Sequence, residues 1–480
     1  MSHNYEKVLF WMRRDLRLND NAGLAQATVD SKQVFLVFIF DTQILDKLQD
    51  KDDRRITYLW EVLEDLQATL TAQGASIIIL HGDPVQEIPI LAQKLGVQSV
   101  YTNRDYEAYA LHRDDQVQAK LNDHGITFHA FKDQIIFESD EVLKSDGNPY
   151  TVFTPFKRNW IDRLTKNPDA IAEHKVNHKL FSSPSQGELK GLKQIRDLKE
   201  IGFKKAADLI ISTSQKEIRR GFEAFLTQGI FKYKSQRDFP AIPGTSNISP
   251  HLRFGTLGIR ECFRLATACK QEANPIGRAE CETWMSELIW REFYSMILQA
   301  FPHVQHKSFR PEYENLLWRV DQKLLEAWKE GMTGYPIVDA GMRNLKQSGQ
   351  MPNRVRMITA SFLSKDLLLD WREGEAHFAR YLLDFDLASN NGGWQWASST
   401  GTDAAPYFRI FNPQLQGKKF DADVKYIKCF IPELKEITAS QIHELSFSVK
   451  DYPKPIIRHD LAREAVLSLF RSVKAQHKGD

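Results

Sequence analysis

The first 130 residues alternate short apolar runs with helix-like stretches, and this alternation limits the possible folds more than any other feature. The apolar runs predict strands at residues 7–12, 34–40, 76–80, 99–103 and 126–131. Helical patterns lie between them at residues 21–30, 54–73, 84–96 and 109–124. Strands that alternate with helices form parallel, helix-covered sheets. We therefore expect an α/β domain with a doubly wound parallel sheet at residues 1–131.

The pattern changes after this region. Residues 132–205 contain polar, Lys-rich stretches with little sustained period, which predicts an interdomain connection. From residue 206 onwards, apolar residues recur three and four positions apart, as in residues 218–225 and 355–369. That spacing predicts helices. We expect a mainly α-helical second domain at residues 206–480.

Composition narrows the class of protein. The 480 residues are 42% hydrophobic and 26% charged, which is typical of a soluble globular protein. No apolar run reaches the roughly 20 residues that span a bilayer, and the N-terminus lacks a signal-peptide pattern, so a cytoplasmic protein without membrane contact is expected. The four cysteines show no CxxC pairing, so neither a metal site nor a disulfide framework is expected.

The charge distribution and the lack of two phosphate-binding motifs indicate which part of the chain is expected to bind a polyanion or a nucleotide. Residues 1–130 carry a net charge of −6 and the rest of the chain +8, so a polyanion is expected at the C-terminal part. Neither GxGxxG nor GxxxxGK[ST] is present, and the N-terminal sheet is therefore not predicted to hold a dinucleotide or a nucleoside triphosphate.

Seven of the ten tryptophans fall within residues 281–400. Core packing would explain any one of them taken singly. In CETWMSELIWREFY, however, Trp284, Glu287, Arg291 and Tyr294 recur at helical spacing, with Trp290 beside them. Because buried charges are costly unless paired, this face is predicted to line a cavity, with a surface stripe of salt bridges as the alternative.

Two further segments combine polar and aromatic residues. In MPNRVRM, Asn353 and Met357 share a helical face, while Arg354 and Arg356 diverge and can serve two anions. In LLDFDLASNNGGWQWASSTGTDAAPYFRIFNP, two tryptophans two positions apart point to nearly opposite sides of a helix. One side can face a cofactor and the other a substrate, and the Gly-Gly pair either admits a flat ligand or marks a turn.

A third segment, YKSQRDFPAIPGTSNISPHL, places hydroxyl groups before a helical pattern. Hydroxyls and free amides at a helix start can bind a pyrophosphate, although these residues alone favour ordinary N-capping.

The runs ELIWREFY, TGYPIVDAGMR, MPNRVRM, KDLLLDWREGE and NNGGWQWASSTGTDAAPYFRIFNP resemble the photolyase/cryptochrome family, specifically class I cyclobutane pyrimidine dimer photolyases. The segments WMRRDLRLNDN and TVFTPFKRNW agree, so the resemblance covers nearly the whole chain. It implies an N-terminal antenna domain and a helical domain that binds FAD and DNA, in a monomer that repairs DNA under light.

The resemblance also implies roles for individual residues. The FAD-binding positions are Tyr233, Thr245, Ser246, Asn247, Ile248, Ser249, Trp284, Arg356, Asp384, Phe385, Asp386 and Asn390. The positions for the lesion and the DNA are Arg237, Glu287, Trp290, Arg291, Tyr294, Asn353, Arg354, Met357, Trp396 and Gln416. An electron relay to the flavin is implied at Trp394, Trp371 and Trp318, Asn390 is expected to face flavin N5, and Glu287 is expected to act protonated.

Alternatives differ in the residues that they require. A cryptochrome-like photoreceptor should replace Asn390, a photolyase for (6-4) lesions should carry histidine near Asn353 and Met357, and a DNA-binding module without catalysis needs no flavin. The antenna chromophore is not assigned, because Tyr109 stands where members that use folate carry an acidic residue. The segment is closer to the pattern of members that use deazaflavin, while a flavin antenna and an empty domain stay open as alternatives.

Overall fold

The N-terminal part of the chain contains a parallel sheet. The computed structural model describes residues 4–207 and 209–476. Among them, five parallel strands form one sheet in the order β3-β2-β1-β4-β5. The strands are β1 (Tyr5–Met12), β2 (Ser31–Asp41), β3 (Ile77–Gly82), β4 (Ser99–Asn103) and β5 (Thr127–Phe131). The order reverses between β1 and β4, which makes the sheet doubly wound and confirms the predicted fold class.

Helices connect these strands. They are α1 (Ala22–Asp30), α2 (Thr42–Leu45), α3 (Arg54–Thr71), α4 (Pro84–Leu95) and α5 (Ala108–Asn122). The first four begin where an Asn or Asp side chain accepts a bond from a backbone N–H, as Asn21 does for α1. Helix α4 ends at Gly96, whose φ of +64° favours glycine.

Side chains bridge the crevice at the carboxyl ends of β1 and β4, which is where open α/β sheets bind ligands. Arg13 donates to the carbonyl of Asn103 and, over 2.5 Å, to Asp114. Asn103 donates its amide to Asp15 over 2.6 Å. The chain's own polar groups thus satisfy one another at this position.

The chain forms two compact units, each assembled from several segments. The first holds residues 1–142, 159–228 and 246–273, and the second holds residues 143–158, 229–245 and 274–480. This division differs from boundaries at 131 and 205, because parts of the expected connection and of the expected helical domain belong to the first unit. The connection also contains a helix, α6 (Phe153–Lys166).

Buried ion pairs attach residues 246–273 to the first unit. Asp133 accepts from Arg17 over 2.8 Å and from Arg260, and all three side chains are almost fully buried. Both guanidinium groups lower the pKa of Asp133. The later segments of the first unit contain α7 (Gln215–Ala224), α9 (Ser249–Phe254) and α10 (Ile259–Glu272). Helix α8 (Tyr233–Gln236) lies between α7 and α9 in the sequence and belongs to the second unit.

The second unit is mainly helical. Its remaining helices are α11 (Pro275–Ala300), α12 (Gln322–Lys329), α13 (Pro336–Ser348), α14 (Asn353–Ser361), α15 (Trp371–Tyr381), α16 (Leu387–Ser398), α17 (Pro413–Phe420), α18 (Lys425–Phe430), α19 (Ala439–Glu444) and α20 (His459–Gln476). Three tryptophans, Trp328, Trp371 and Trp394, lie in its apolar core. No helix within the described part of the chain has both the length and the apolar character needed to cross a bilayer.

A π-helical turn, Phe362–Asp366, follows α14 and buries two ionisable side chains. Lys365 donates to the Ser399 hydroxyl over 2.6 Å, and burial lowers its pKa to about 7. Asp366 bonds to His459 over 2.5 Å, and burial raises its pKa. Apolar periodicity alone predicts a continuous helix here and gives no sign of this turn.

Candidate active site

Helix α11 carries the largest group of predicted site residues. Asn274 caps it by accepting from the Gly277 N–H, and Pro275 occupies its first turn. Trp284 is buried, at 3% exposure. Glu287, Trp290, Arg291 and Tyr294 are half-buried. The predicted face therefore exists as one side of a single long helix.

Glu287 is bonded to Arg237, which follows α8. The guanidinium donates directly to Glu287 Oε1 and lies 5.6 Å from the centre of the Tyr233 ring. Burial raises the pKa of Glu287, and the charge of Arg237 opposes that rise. Two residues predicted for different tasks, the lesion and the DNA strand, therefore contact each other.

Trp290 stacks on Phe153, a residue that sequence reasoning missed. The two ring centres lie 3.6 Å apart with the planes at 8°. The Phe153 N–H donates to Asp403 over 3.0 Å. Thr402 donates to the carbonyl of Thr151 over 2.6 Å. These bonds fix the start of α6 so that one face of the Trp290 indole is covered.

Helix α14 presents different residues on different sides, as its sequence predicts. The Asn353 amide nitrogen lies 4.0 Å from the Met357 sulfur. Arg354 pairs with Asp238 over 2.8 Å, whereas Arg356 pairs with Asp384 through bonds of 2.9 and 3.0 Å. The two arginines therefore bind separate carboxylates of the chain.

Arg354 also contacts the aromatic side chain of Phe420 on α17. Its guanidinium carbon lies 4.4 Å from the centre of that ring. Gln416, on the same helix, has a buried Oε1 atom without a hydrogen-bond partner among the described residues. An arginine and an amide, both predicted to contact the DNA strand, are thus positioned by neighbouring helices.

The two aspartates before α16 have different partners, since one caps the helix and the other forms an ion pair. Asp386 caps the helix by accepting from the Ser389 N–H over 3.0 Å, and Asp384 binds Arg356. One turn later, the Asn390 amide donates to Glu375 Oε1 over 2.7 Å. Because its NH₂ group is engaged there, Asn390 keeps its carbonyl oxygen as an acceptor.

The two adjacent glycines of α16 have different surroundings. A β-carbon at Gly392 would lie 2.1 Å from the ring of Tyr294, so this glycine lets α16 pack against α11. A β-carbon at Gly393 would meet no atom within 4 Å. The pair lies inside a helix rather than at a turn, and Gly393 faces open space.

The three tryptophans of the expected relay lie on connected segments. Trp394 and Trp371 are buried, at 2% and 1% exposure, and their indole N–H groups have no partner among the described residues. Trp318 is half-buried. The N–H of the next residue, Arg319, donates to Leu368 over 2.7 Å, which ties this segment to the chain just before Trp371.

The Thr245–Ser249 stretch leads into α9. Thr245, Asn247 and Ser249 are exposed, Ser246 is half-buried and Ile248 is buried. Asn247 has a φ of +52°, a left-handed conformation that asparagine tolerates. This stretch therefore lies partly exposed immediately before a short helix.

Two family models match the chain. The one described as DNA photolyase covers residues 8–174, and the one described as the FAD binding domain of DNA photolyase covers residues 284–472. A deoxyribodipyrimidine photo-lyase from Synechococcus sp. is 40% identical, over 98% of this chain and 97% of the relative.

This chain belongs to the photolyase/cryptochrome family. Among its members, the photolyases are represented by similar solved structures. A bacterial class III photolyase from Agrobacterium tumefaciens has a TM-score of 0.86 and 33% identity, covering 99% of both chains. An archaeal photolyase from Sulfolobus tokodaii, described with two FAD molecules, has a TM-score of 0.81 and 31% identity, covering 97% of this chain and 100% of that one.

FAD is the cofactor of this photolyase domain, and the residues present fit it. Asn390 offers an acceptor, the Arg356–Asp384 pair offers a fixed charge pair, and Gly393 leaves space that a β-carbon would reduce. These groups lie on α14, α16 and the segment between α15 and α16. The structure adds the neighbouring residues Glu375 and Phe153 to those that sequence reasoning selected.

Proposed function

We propose that this photolyase repairs cyclobutane pyrimidine dimers in DNA under light. The observation that carries the proposal is the half-buried Glu287 carboxyl beside the stacked indole of Trp290 on one helix face. A carboxyl group can donate to a pyrimidine carbonyl, and an indole can stack on a base. FAD, when bound and fully reduced, supplies an electron to the dimer after light absorption and receives it back.

In this proposal the chain's residues bind the flipped-out dimer and exclude water. Trp290 and Trp396 form apolar walls, and Asn353 and Met357 complete the pocket. Phe153 covers one face of the Trp290 indole, so a base would stack on the opposite face. A dimer must leave the base stack of the DNA duplex to reach a site inside an α-helical protein domain.

Glu287 stabilises the negative charge that develops on the dimer. Negative charge develops on a pyrimidine oxygen during ring splitting, and a protonated carboxyl stabilises that charge by donating a hydrogen bond. Burial raises the pKa of Glu287, which favours the protonated form. Arg237, Arg354 and Gln416 contact the DNA strand in this proposal, and the two arginines pair with phosphates in the complex.

The residues that hold FAD are the separate FAD-binding positions that the resemblance implies, of which Tyr233 is the first in the chain and Asn390 the last. Glu375 orients Asn390, since its carboxylate accepts from the Asn390 amide. Burial raises the pKa of Glu375, and that hydrogen bond opposes the rise. Asn390 is thereby held with its carbonyl oxygen available toward the flavin. Trp394, Trp371 and Trp318 carry electrons from the surface to oxidised flavin.

Class I membership, monomeric action and a cytoplasmic location stay predictions. Asn390, together with the complete set of lesion residues, favours repair over the alternative of a cryptochrome-like photoreceptor. A second chromophore is possible in the N-terminal unit, without an assigned identity. There, Tyr109 donates to Asp41 over 2.6 Å at the position that differs from members using folate.

The experiment that tests the proposal has two steps. The purified protein should carry one FAD per chain, released on denaturation, as an absorption spectrum reports. After reduction, it should restore ultraviolet-irradiated DNA in light and not in darkness. A protein that binds FAD yet leaves the dimers unchanged would favour the photoreceptor alternative.

A further inference from the structure

The contact between Arg237 and Glu287 conflicts with the tasks proposed for both residues. A guanidinium that donates to Glu287 is not directed at a phosphate. A carboxylate that accepts from a guanidinium cannot donate to a pyrimidine carbonyl, because it is an acceptor only. The observed pair is therefore incompatible with the state in which repair takes place.

Two neighbouring cations oppose protonation of Glu287. Arg237 is the strongest influence that lowers the pKa of this carboxyl, and Lys157 on α6 adds a weaker one. Asp238 acts in the opposite direction, but its carboxylate is bonded to Arg354 over 2.8 Å. Tyr294, on the same helix, and Tyr233, beneath Arg237, are uncharged because burial raises the pKa of each phenol. Removal of Arg237 would thus leave burial opposed chiefly by Lys157.

We propose that Arg237 and Glu287 exchange partners when dimer-containing DNA binds. A backbone phosphate takes the guanidinium, and the Glu287 carboxylate takes one proton from solvent and donates it in a hydrogen bond to the dimer's carbonyl edge. This inference rests on the proposed repair function. It makes Arg237 a positioning residue that keeps Glu287 ionised in free protein and releases it only when DNA is present.

The exchange is chemically balanced. One ion pair breaks, one guanidinium–phosphate pair forms, and one proton moves from the acid form of the buffer to the carboxylate, leaving the buffer base in solution. Guanidinium groups bind phosphate through paired, charge-assisted bonds, so the new pair replaces the old one with similar geometry. Binding of the dimer should therefore consume about one proton per complex.

Proton uptake can be measured directly by calorimetric titration of the FAD-containing protein, in darkness, with a dimer-bearing oligonucleotide. Titrations in two buffers of different ionisation enthalpy give the number of protons bound. We expect about one proton for the unmodified protein and about none for Glu287→Gln, whose amide is already neutral. Arg237→Ala should take up fewer protons than the unmodified protein, because the charge that keeps its Glu287 ionised is gone.

Gln416→Ala is the matched control. This side chain is also expected to contact the DNA strand, but it is uncharged, so its loss leaves the charges around Glu287 unchanged. Its loss should weaken DNA binding while proton uptake stays at about one. Equal uptake in Glu287→Gln and the unmodified protein would overturn the exchange, as would full uptake in Arg237→Ala.

A second measurement needs no variant. The dissociation constant of the unmodified protein for dimer-bearing DNA should increase with pH, by up to about tenfold per unit. Normal binding and repair with neither proton uptake nor this pH dependence would refute the exchange alone. A protein that repairs no dimers at all would refute the proposed function, and the exchange with it.

Discussion

Trp394 packs directly on Gly374, so closely that a β-carbon at residue 374 would lie 2.1 Å from the indole ring. Gly374 lies one turn after Trp371 on α15, and Trp394 lies on α16. The absence of a side chain at residue 374 thus brings the two helices together where two of the three relay tryptophans lie. The ring of Trp394 also contacts Phe378 and Trp328, at centre distances of 4.9 and 5.9 Å.

Gly374→Ala should therefore force Trp394 out of its position. Overpacking of this kind costs about 1–3 kcal/mol of unfolding free energy, and light-driven reduction of the flavin should slow. Gly221→Ala is the control, because residue 221 lies at an exposed position of α7 where an added β-carbon meets nothing within 4 Å, and it should stabilise the helix by about 0.5–1 kcal/mol. Denaturant unfolding and flavin photoreduction measure both effects. Equal stability changes in the two variants would contradict the packing described.

Trp318→Phe should block the proposed relay without disturbing the fold. The site is half-buried and one large aromatic side chain replaces another, so FAD content should stay nearly unchanged. Light-driven reduction of oxidised flavin should fall steeply, because phenylalanine is much harder to oxidise than tryptophan. Repair by chemically reduced protein should survive.

The control for this prediction is Trp328→Phe. Trp328 contacts Trp394 but is fully buried, and its indole N–H donates to Thr359 over 3.0 Å. It offers no outlet to solvent, so photoreduction should continue. Photoreduction that survives in Trp318→Phe and is lost in Trp328→Phe would mean that the electron takes a different route.

Phe153→Leu should weaken binding of the lesion more than binding of intact DNA. The substitution removes the ring stacked on Trp290, and aromatic pairs of this kind contribute about 0.5–1.5 kcal/mol. We expect dimer affinity to fall roughly two- to tenfold. Phe156→Leu is the matched control, since that residue is buried on the same helix but contacts Phe293, with ring centres 5.3 Å apart. Equal losses of dimer affinity in both variants would assign Phe153 a general packing role.

Lys365 should make stability depend on pH. Its pKa is about 7 in the folded protein, against about 10.4 in an unfolded chain. Between these values the unfolded state binds more protons, so the stability associated with this site is lowest at and below pH 7 and increases as the pH rises. Relative to Lys365→Met, the unfolding free energy should increase by up to about 1.4 kcal/mol per pH unit from about pH 7 to 9. Urea unfolding of both proteins at three pH values measures this, and a constant difference would mean that Lys365 stays protonated.

Local patterns predicted the elements of the fold well. The period of apolar residues depends on neighbours along the chain, so the five strands, α11 and α14 could be found from sequence. Side-chain pairs between distant segments could not. Phe153 with Trp290, Glu375 with Asn390, and Arg237 with Glu287 each join separate elements, and no spacing in the sequence encodes them.

The division of the chain into two units could not be predicted from the sequence for the same reason. Residues 246–273 show the helical period expected of the second domain. Contacts with distant residues hold them in the first unit, including the ion pair of Arg260 with the buried Asp133. The resemblance selected most of the proposed site, whereas residues that act through another side chain became visible only in three dimensions.

Direct quantification of dimer splitting tests the central claim most sharply. A synthetic oligonucleotide with one cyclobutane thymine dimer is incubated with chemically reduced, FAD-containing protein, and chromatography separates intact dimer from restored thymines in blue light and in darkness. We predict many restored dimers per protein molecule in light, none in darkness, and a marked loss of the light-driven yield in Glu287→Ala. Restoration that proceeds in darkness, or its absence from illuminated and fully reduced protein, would contradict the account.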